Sequence, residues 1–450
     1  MFTKDKSFYK NFFSLYWVIV LQNVIVLGVG LADNIMIGAY SETSLAGVAA
    51  VNQIQFIYQQ LIMSVGDALV VLGSQYWGQR RTEPIKRLLS TALFTGLGIG
   101  VILFTVASLT PTGVVGLFTE SEAIVSEGAS YLSLIRFTYI PFALTQILLA
   151  SLRAVERVKI AFVTSVGSFV TNCAINYVLI FGRFGAPEMG VRGAAVGTLC
   201  ARGLELSLVI GYLILRDDRL KLRLRDVFSP SGELTRDFFR SGAMIILAGG
   251  MFGCSTALQS VILGHMNDYA IAANSASTAL YQVLKVAAVG ASSATGIIIG
   301  KTLGMGRTDK IKEYTRTLQM IFLCVGVFMS VSLFFLRTPV LSLYDLSPET
   351  HRLANNFILI LCVTGFGTAY EMPVLTGIVR GGGDSSFVFW NDLVSIWMIV
   401  LPLSYCAAFV FGWPPEAVVF CLNADQLFKC AAAAIKANRY RWMKKLTRES

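Results

Sequence analysis

The sequence predicts an all-α membrane protein, with twelve transmembrane helices in two pseudo-symmetric six-helix bundles around a central cleft. Three observations predict it: the composition, the spacing of the apolar runs, and a match between the two halves of the chain. Of 450 residues, 55% are hydrophobic and 14% charged, whereas a soluble domain carries about 25% charged residues. Twelve spans of roughly 20 residues need about 240 mostly apolar positions, close to what this composition supplies. A soluble enzyme, a nucleic-acid binder and a secreted disulfide scaffold are all excluded on this ground.

The apolar runs, bounded by charged or Gly/Pro-rich breaks, place the first six spans near residues 12–38, 46–77, 88–109, 129–152, 160–182 and 191–215. The other six fall near 238–264, 270–300, 315–336, 353–378, 386–411 and 414–435. The runs are continuous and far longer than the roughly ten-residue alternating segments of a barrel strand, so helices are expected. The first run is too long for the core of a signal peptide and lacks a small-residue cleavage site, so it is expected to remain as the first span.

An even number of spans puts both termini on one side, and Lys and Arg accumulate in the loops of one face. The basic segments are Lys4 to Lys10, Arg80 to Arg87, Arg153 to Lys159, Arg216 to Arg240, Lys301 to Arg316, Arg380, and a tail from Lys429 to Arg448. The opposite loops hold Arg183, Arg192, Arg337 and Arg352. Both termini are therefore expected to be cytoplasmic in a multi-pass plasma (inner) membrane protein. The net charge of +10 reflects orientation in the bilayer, not a nucleic-acid partner.

The long polar connection Arg216–Arg240 lies near the midpoint of the chain. A shift of 226 residues lays Gly38 on Gly264, Ala46 on Ala272, Ala68 on Ala294 and Gly78 on Gly304 without a gap. The polar loop Arg81–Lys86 (RTEPIK) falls on Arg307–Lys312 (RTDKIK). Agreement in a polar loop is harder to reach by chance than agreement between apolar helices. It divides the chain into an amino-terminal lobe, residues 1–225, and a carboxy-terminal lobe, residues 226–450. Six-span repeats enter the membrane in the same direction and are related by an axis along the bilayer normal, which leaves a cleft between them. In transporters built this way substrates bind near the midplane and access alternates as the bundles rock.

Asp33 stands in an apolar helix, where a carboxylate is costly unless it is paired or faces water. A group in that position suits the uptake and release of a cation. Asn172 and Asn176 are four apart and share one helix face, able to present two amides to one cavity or to bond a neighbouring helix. Arg202 and Glu205, three apart, can pair along a single helix. Lys285 needs an anionic partner in the membrane, with Asp67, Glu371 and Asp392 as candidates. The eight cysteines, Cys173, Cys200, Cys254, Cys324, Cys362, Cys406, Cys421 and Cys430, have no CxxC or Cys/His spacing and read as packing residues.

Enzyme signatures are missing. GIIIGKT (Gly296 to Thr302) is one residue short of a phosphate loop, and no HExxH or GxSxG occurs. The two histidines, His265 and His351, fall in expected external loops. The chain is not expected to be an enzyme and needs no cofactor.

DNIMIG (Asp33 to Gly38), GSQYWGQ (Gly73 to Gln79), LRAVERVK (Leu152 to Lys159), NCAINY (Asn172 to Tyr177) and VRGGGD (Val379 to Asp384) follow one another across the spans. In order and spacing they resemble the multidrug and toxic compound extrusion (MATE) transporters over essentially the whole chain. The resemblance implies efflux of organic, cationic and amphipathic small molecules across the plasma membrane in exchange for protons or sodium. It also implies a cation site in which Asp33 exchanges the proton or ligates sodium while Asn172 and Asn176 position or coordinate it, with no other metal. Apart from the resemblance, the intramembrane charges Asp67, Lys285, Glu371 and Asp392, with Gln259 as the repeat counterpart of Asp33, are the candidate substrate-cleft residues. Partners are the small-molecule cargo and the lipid bilayer, with no nucleic acid and no obligate protein partner.

The second half departs from the pattern. The glutamate that the sodium-coupled branch often carries in span seven is Met251, its span-ten aspartate falls near Ala369 with Glu371 close by, and the repeat pairs Asp33 with Gln259. Coupling is therefore expected in the first half. A flippase for a lipid-linked saccharide or another amphiphile is the alternative, with Lys285 as the feature that favours it.

Overall fold

The computed structural model describes residues 2–119, 121–266, 268–344 and 346–448. Among them every regular element is helical, and twelve helices are long and apolar enough to cross a membrane. These are α1 (Lys6–Tyr40), α2 (Glu42–Gly78), α3 (Glu83–Leu109), α4 (Glu122–Ala154), α5 (Lys159–Ile180) and α6 (Val191–Leu215). They continue as α7 (Gly232–Gly264), α8 (Tyr269–Gly304), α9 (Thr308–Leu341), α10 (Pro348–Val379), α11 (Ser385–Val410) and α12 (Pro415–Asn438). Each overlaps one apolar run, and several extend past it because a helix can continue into water on polar residues that a hydropathy reading excludes. His351 accordingly lies in the first turn of α10 and not in a loop.

Local chemistry sets many of the boundaries. Proline stands in the first turn of α3, α10 and α12, where its missing N–H is no loss. Ser347 caps α10 by accepting the backbone N–H of Thr350 at 3.3 Å. Within α10 and α11 the ladder loosens into π-helical stretches at Pro373–Val379, Leu393–Val400 and Cys406–Val410. Pro373 cannot donate to Ala369, nor Pro402 to Met398, so the usual hydrogen-bond register is interrupted there. π-helical turns of this kind are rare and often mark functional positions.

The chain forms two compact units. One comprises Leu21–Gly73 and Arg81–Gly250; the other comprises Met1–Val20, Ser74–Arg80 and Met251–Ser450. The last residues of α2 thus pack with the second unit, although they belong to the first half of the sequence. In the first unit Ile37, Val51, Ile62, Leu132, Ala143 and Ile180 join one core. In the second, Ala273, Met329, Leu333, Phe357, Ile358 and Val418 join another. All eight cysteines are free.

Lys429, expected in a basic tail, also departs from expectation: it lies inside α12 and is buried. Its charge is tolerated there because two aspartates meet it.

Candidate functional site

In the first unit, α1, α5 and α6 bring the three predicted cation-site residues together. Asn172 and Asn176 are fully buried on α5. Asn176 Nδ2 donates to Asp33 Oδ1 at 2.6 Å and lies 3.3 Å from Asn172 Oδ1. Asn172 Nδ2 in turn donates to Thr198 Oγ1 on α6 at 3.2 Å. The result is a polar chain that crosses three helices and ends on a carboxylate.

The close approach of α6 to α5 depends on Gly197. A Cβ built at that position would collide with Asn176 Oδ1, so the amide is held between Asp33 on one side and a bare stretch of backbone on the other. Asn176 Oδ1 itself is buried against Gly197 and has no hydrogen-bond donor among the described residues, an unsatisfied acceptor next to the carboxylate.

Arg202 and Tyr131 complete the surroundings. Arg202, one turn beyond Thr198 on α6, bears electrostatically on Asp33. Its guanidinium is bonded to Glu205 at 2.8 Å and lies over the ring of Phe142, 4.9 Å from the centroid. The buried Tyr131 hydroxyl lies among Gln55, Thr198 and the charge of Asp33. Sequence reasoning missed Thr198, Tyr131 and Gln55, because hydroxyls, phenols and amides in apolar helices carry no spacing that separates a site residue from a packing one.

Asp67 on α2, also in the first unit, lies 4.0 Å from Arg153 in the last turn of α4. The arginine of the LRAVER stretch therefore belongs partly to the helix bundle and not only to a loop.

The remaining cleft residues lie in the second unit. Glu371 is buried on α10, and Gln259 is half-buried on α7. Asp392, at the start of a π-helical stretch of α11, pairs with Lys429 at 2.9 Å. Lys429 also pairs with Asp425 at 3.0 Å. A hydrogen-bonded chain continues from Asp425 to Gln426 at 3.1 Å, from Gln426 to Thr368 at 2.9 Å, and from Thr368 to Tyr281 at 2.8 Å. Lys429 and Asp425 are the members that sequence reading missed.

Lys285 on α8 makes no ion pair within 4.0 Å among the described residues. Its ammonium lies 5.8 Å from the ring centroid of Phe252 and 5.9 Å from that of Tyr281, and it feels the charges of Glu371 and Asp425. With three carboxylates (Glu371, Asp392, Asp425) and two lysines (Lys285, Lys429), the cluster has one more acidic than basic group.

Comparison with known proteins bears on the fold and the lineage. The MatE family profile matches residues 19–178 and 245–406. An uncharacterized transporter of Bacillus subtilis, YisQ, is 23% identical over 424 residues, covering 94% of this chain and 92% of its own. A probable multidrug resistance protein, NorM, of Bacillus anthracis is 23% identical over 405 residues, covering 90% and 89%. A variant of the Vibrio cholerae MATE transporter VcmN superposes with a TM-score of 0.85 at 17% identity, over 98% of each chain. A MOP superfamily transporter from Pyrococcus furiosus gives a TM-score of 0.86 at 16% identity, over 96% of this chain and 95% of its own. At these identities the structures establish a shared fold.

Proposed function

We propose, from the premise that this chain belongs to the MatE family, that it is a secondary active antiporter. It exports organic, cationic and amphipathic small molecules across the plasma membrane in exchange for protons or sodium. The observation that carries the reading is the hydrogen bond from Asn176 to Asp33 inside membrane-spanning helices. A carboxylate there requires a partner, and an amide donor is one that either a proton or a sodium ion can compete with.

In the outward-facing state the cation reaches Asp33 and removes or redirects the hydrogen bond that α5 supplies. The packing of α1 against α5 then changes, and affinity for the cargo falls. Coupling of this kind exists only when cation and cargo bind the two states with different affinity. Asp67, Gln259, Lys285, Glu371 and Asp392 are the candidates for contact with the cargo.

Accumulation of a fluorescent organic cation in cells expressing the protein tests this reading, with the proton and sodium gradients collapsed in turn. Export should stop when the coupling gradient is removed and continue when the other is. Export that persists without either gradient would contradict it. Lys285, without an ion pair among the described residues, favours a second reading in which an anionic amphiphile such as a lipid-linked saccharide is moved. Headgroup translocation in liposomes separates the two.

A further inference from the structure

After α12 the chain leaves the helical bundle but stays bound to it. The stretch RWMKKLTR, Arg441 to Arg448, runs across helix ends that lie on the membrane face holding both termini, and every contact named here is inside the second unit. Trp442 is fully buried, with its ring against Gly382, and donates to Ala437 O at 2.8 Å. The backbone N–H of Lys444 donates to Gly382 O at 2.8 Å. Lys444 and Lys436 hold Asp384 between them at 2.8 and 2.7 Å.

The same stretch brackets the end of α2. Gln75, fully buried, donates from Nε2 to Lys444 O at 3.2 Å and accepts from Leu446 N at 2.8 Å, so one side-chain amide mimics a strand partner. Gln79 Nε2 donates to Thr447 Oγ1 at 2.6 Å, and Arg448 N donates to Tyr76 Oη at 3.2 Å. Beneath these bonds α2 meets α8 backbone to backbone. A Cβ at Gly78 would collide with Lys301 O, and one at Gly304 with Gln75 O.

We propose that residues 441–448 are a releasable strap that keeps the end of α2 closed on α8, and that cargo entry from this face requires the strap to lift. Trp442 and the half-buried Met443 and Leu446 are its apolar anchors; the rest of the strap is held through polar bonds that water can replace. If it lifts, the Gln75 amide loses both partners and must be hydrated, so release and water entry at the α2–α8 seam occur together. The strap would then be a two-state element at the end of α2. Cargo entry from this face rests on the export reading above; the closure of the seam does not.

The test uses the full-length chain in liposomes with the native cysteines replaced and Gln79→Cys and Thr447→Cys introduced. Export of a fluorescent organic cation is followed with the pair oxidised and then reduced. We expect the oxidised form to be slower by roughly tenfold, with recovery on reduction, because a gating step becomes limiting. Equal rates in the two forms, with the cross-link verified by mass, would overturn the strap. If neither form exports the probe, the export reading fails, and hydrogen exchange decides the strap alone. In a chain ending at Tyr440 the amides of Gly304 and Met305 should then exchange roughly tenfold faster than in the full chain. An unchanged exchange rate there would overturn it.

Discussion

Asn176 donates to Asp33 across 2.6 Å, tying α5 to α1 through one hydrogen bond to a carboxylate. Asn172, one turn earlier on α5, bonds Thr198 with its own amide at 3.2 Å and also bears on the Asp33 carboxyl.

Replacing Asn176 by Ala should therefore lower coupled export by roughly ten- to a hundredfold, in keeping with loss of a hydrogen bond to a charged group worth roughly 1.5–3 kcal/mol. Initial export rates in liposomes under an imposed cation gradient measure this. An unchanged rate would mean that Asp33 acts without its amide partner.

Gly197→Ala should reach the same bond from the other side. The new Cβ takes the place of Asn176 Oδ1 and forces the amide out of the position in which it bonds Asp33, so the effects of Gly197→Ala and Asn176→Ala should be strongly non-additive, with a coupling of about 0.5–3 kcal/mol. A double-mutant cycle on export rate checks it. Simple additivity would place the effect of the glycine elsewhere.

Lys429 is buried between Asp392 and Asp425. Lys429→Ala leaves two carboxylates facing each other without a cation and should cost about 3–5 kcal/mol. Lys429→Arg should recover much of it, since a guanidinium can meet both. Thermal unfolding in detergent compares the two; equal melting temperatures would show that the ion triad is not holding α11 to α12.

Asp384, in the α10–α11 loop, is subject to opposing influences. Burial raises its pKa, but Lys436 and Lys444 outweigh this and hold the carboxyl below its ordinary value. A carboxylate depressed in the folded state contributes stability above its unfolded pKa, about 3.9, and that contribution disappears as pH falls through the folded value. Asp384→Asn should therefore be less stable than the parent at pH 7 by about 1.5–3 kcal/mol. The gap should stay constant down to about pH 5 and narrow below pH 4. Melting temperatures across that range read it out, and a gap that widens with acid would reverse the sign of the argument.

Much of this was legible in the sequence because the physics is local. A carboxylate in an apolar run, as at Asp33, is conspicuous wherever it falls, and two amides four residues apart must share a helix face. Lys429 was misread for the opposite reason. Its neighbourhood, KCAAAAIKANRYRWMKK, is locally basic, and the aspartate that lets it enter the bundle from α11, Asp392, is remote in sequence. Thr198 and Tyr131 gave no signal, since their role comes only from helix packing around Gly197. The strap reads as a polar tail; its anchorage exists only because Gln75 and Gly382, remote in the chain, meet it.

The central claim is that one carboxylate couples cation entry to cargo release, and the most direct measurement is gradient-driven export by Asp33→Asn in liposomes, alongside a binding assay for the same cargo. The account predicts a protein that melts like the parent and still binds the cargo, yet gains no acceleration from a proton or a sodium gradient. Acceleration equal to that of the parent would contradict it.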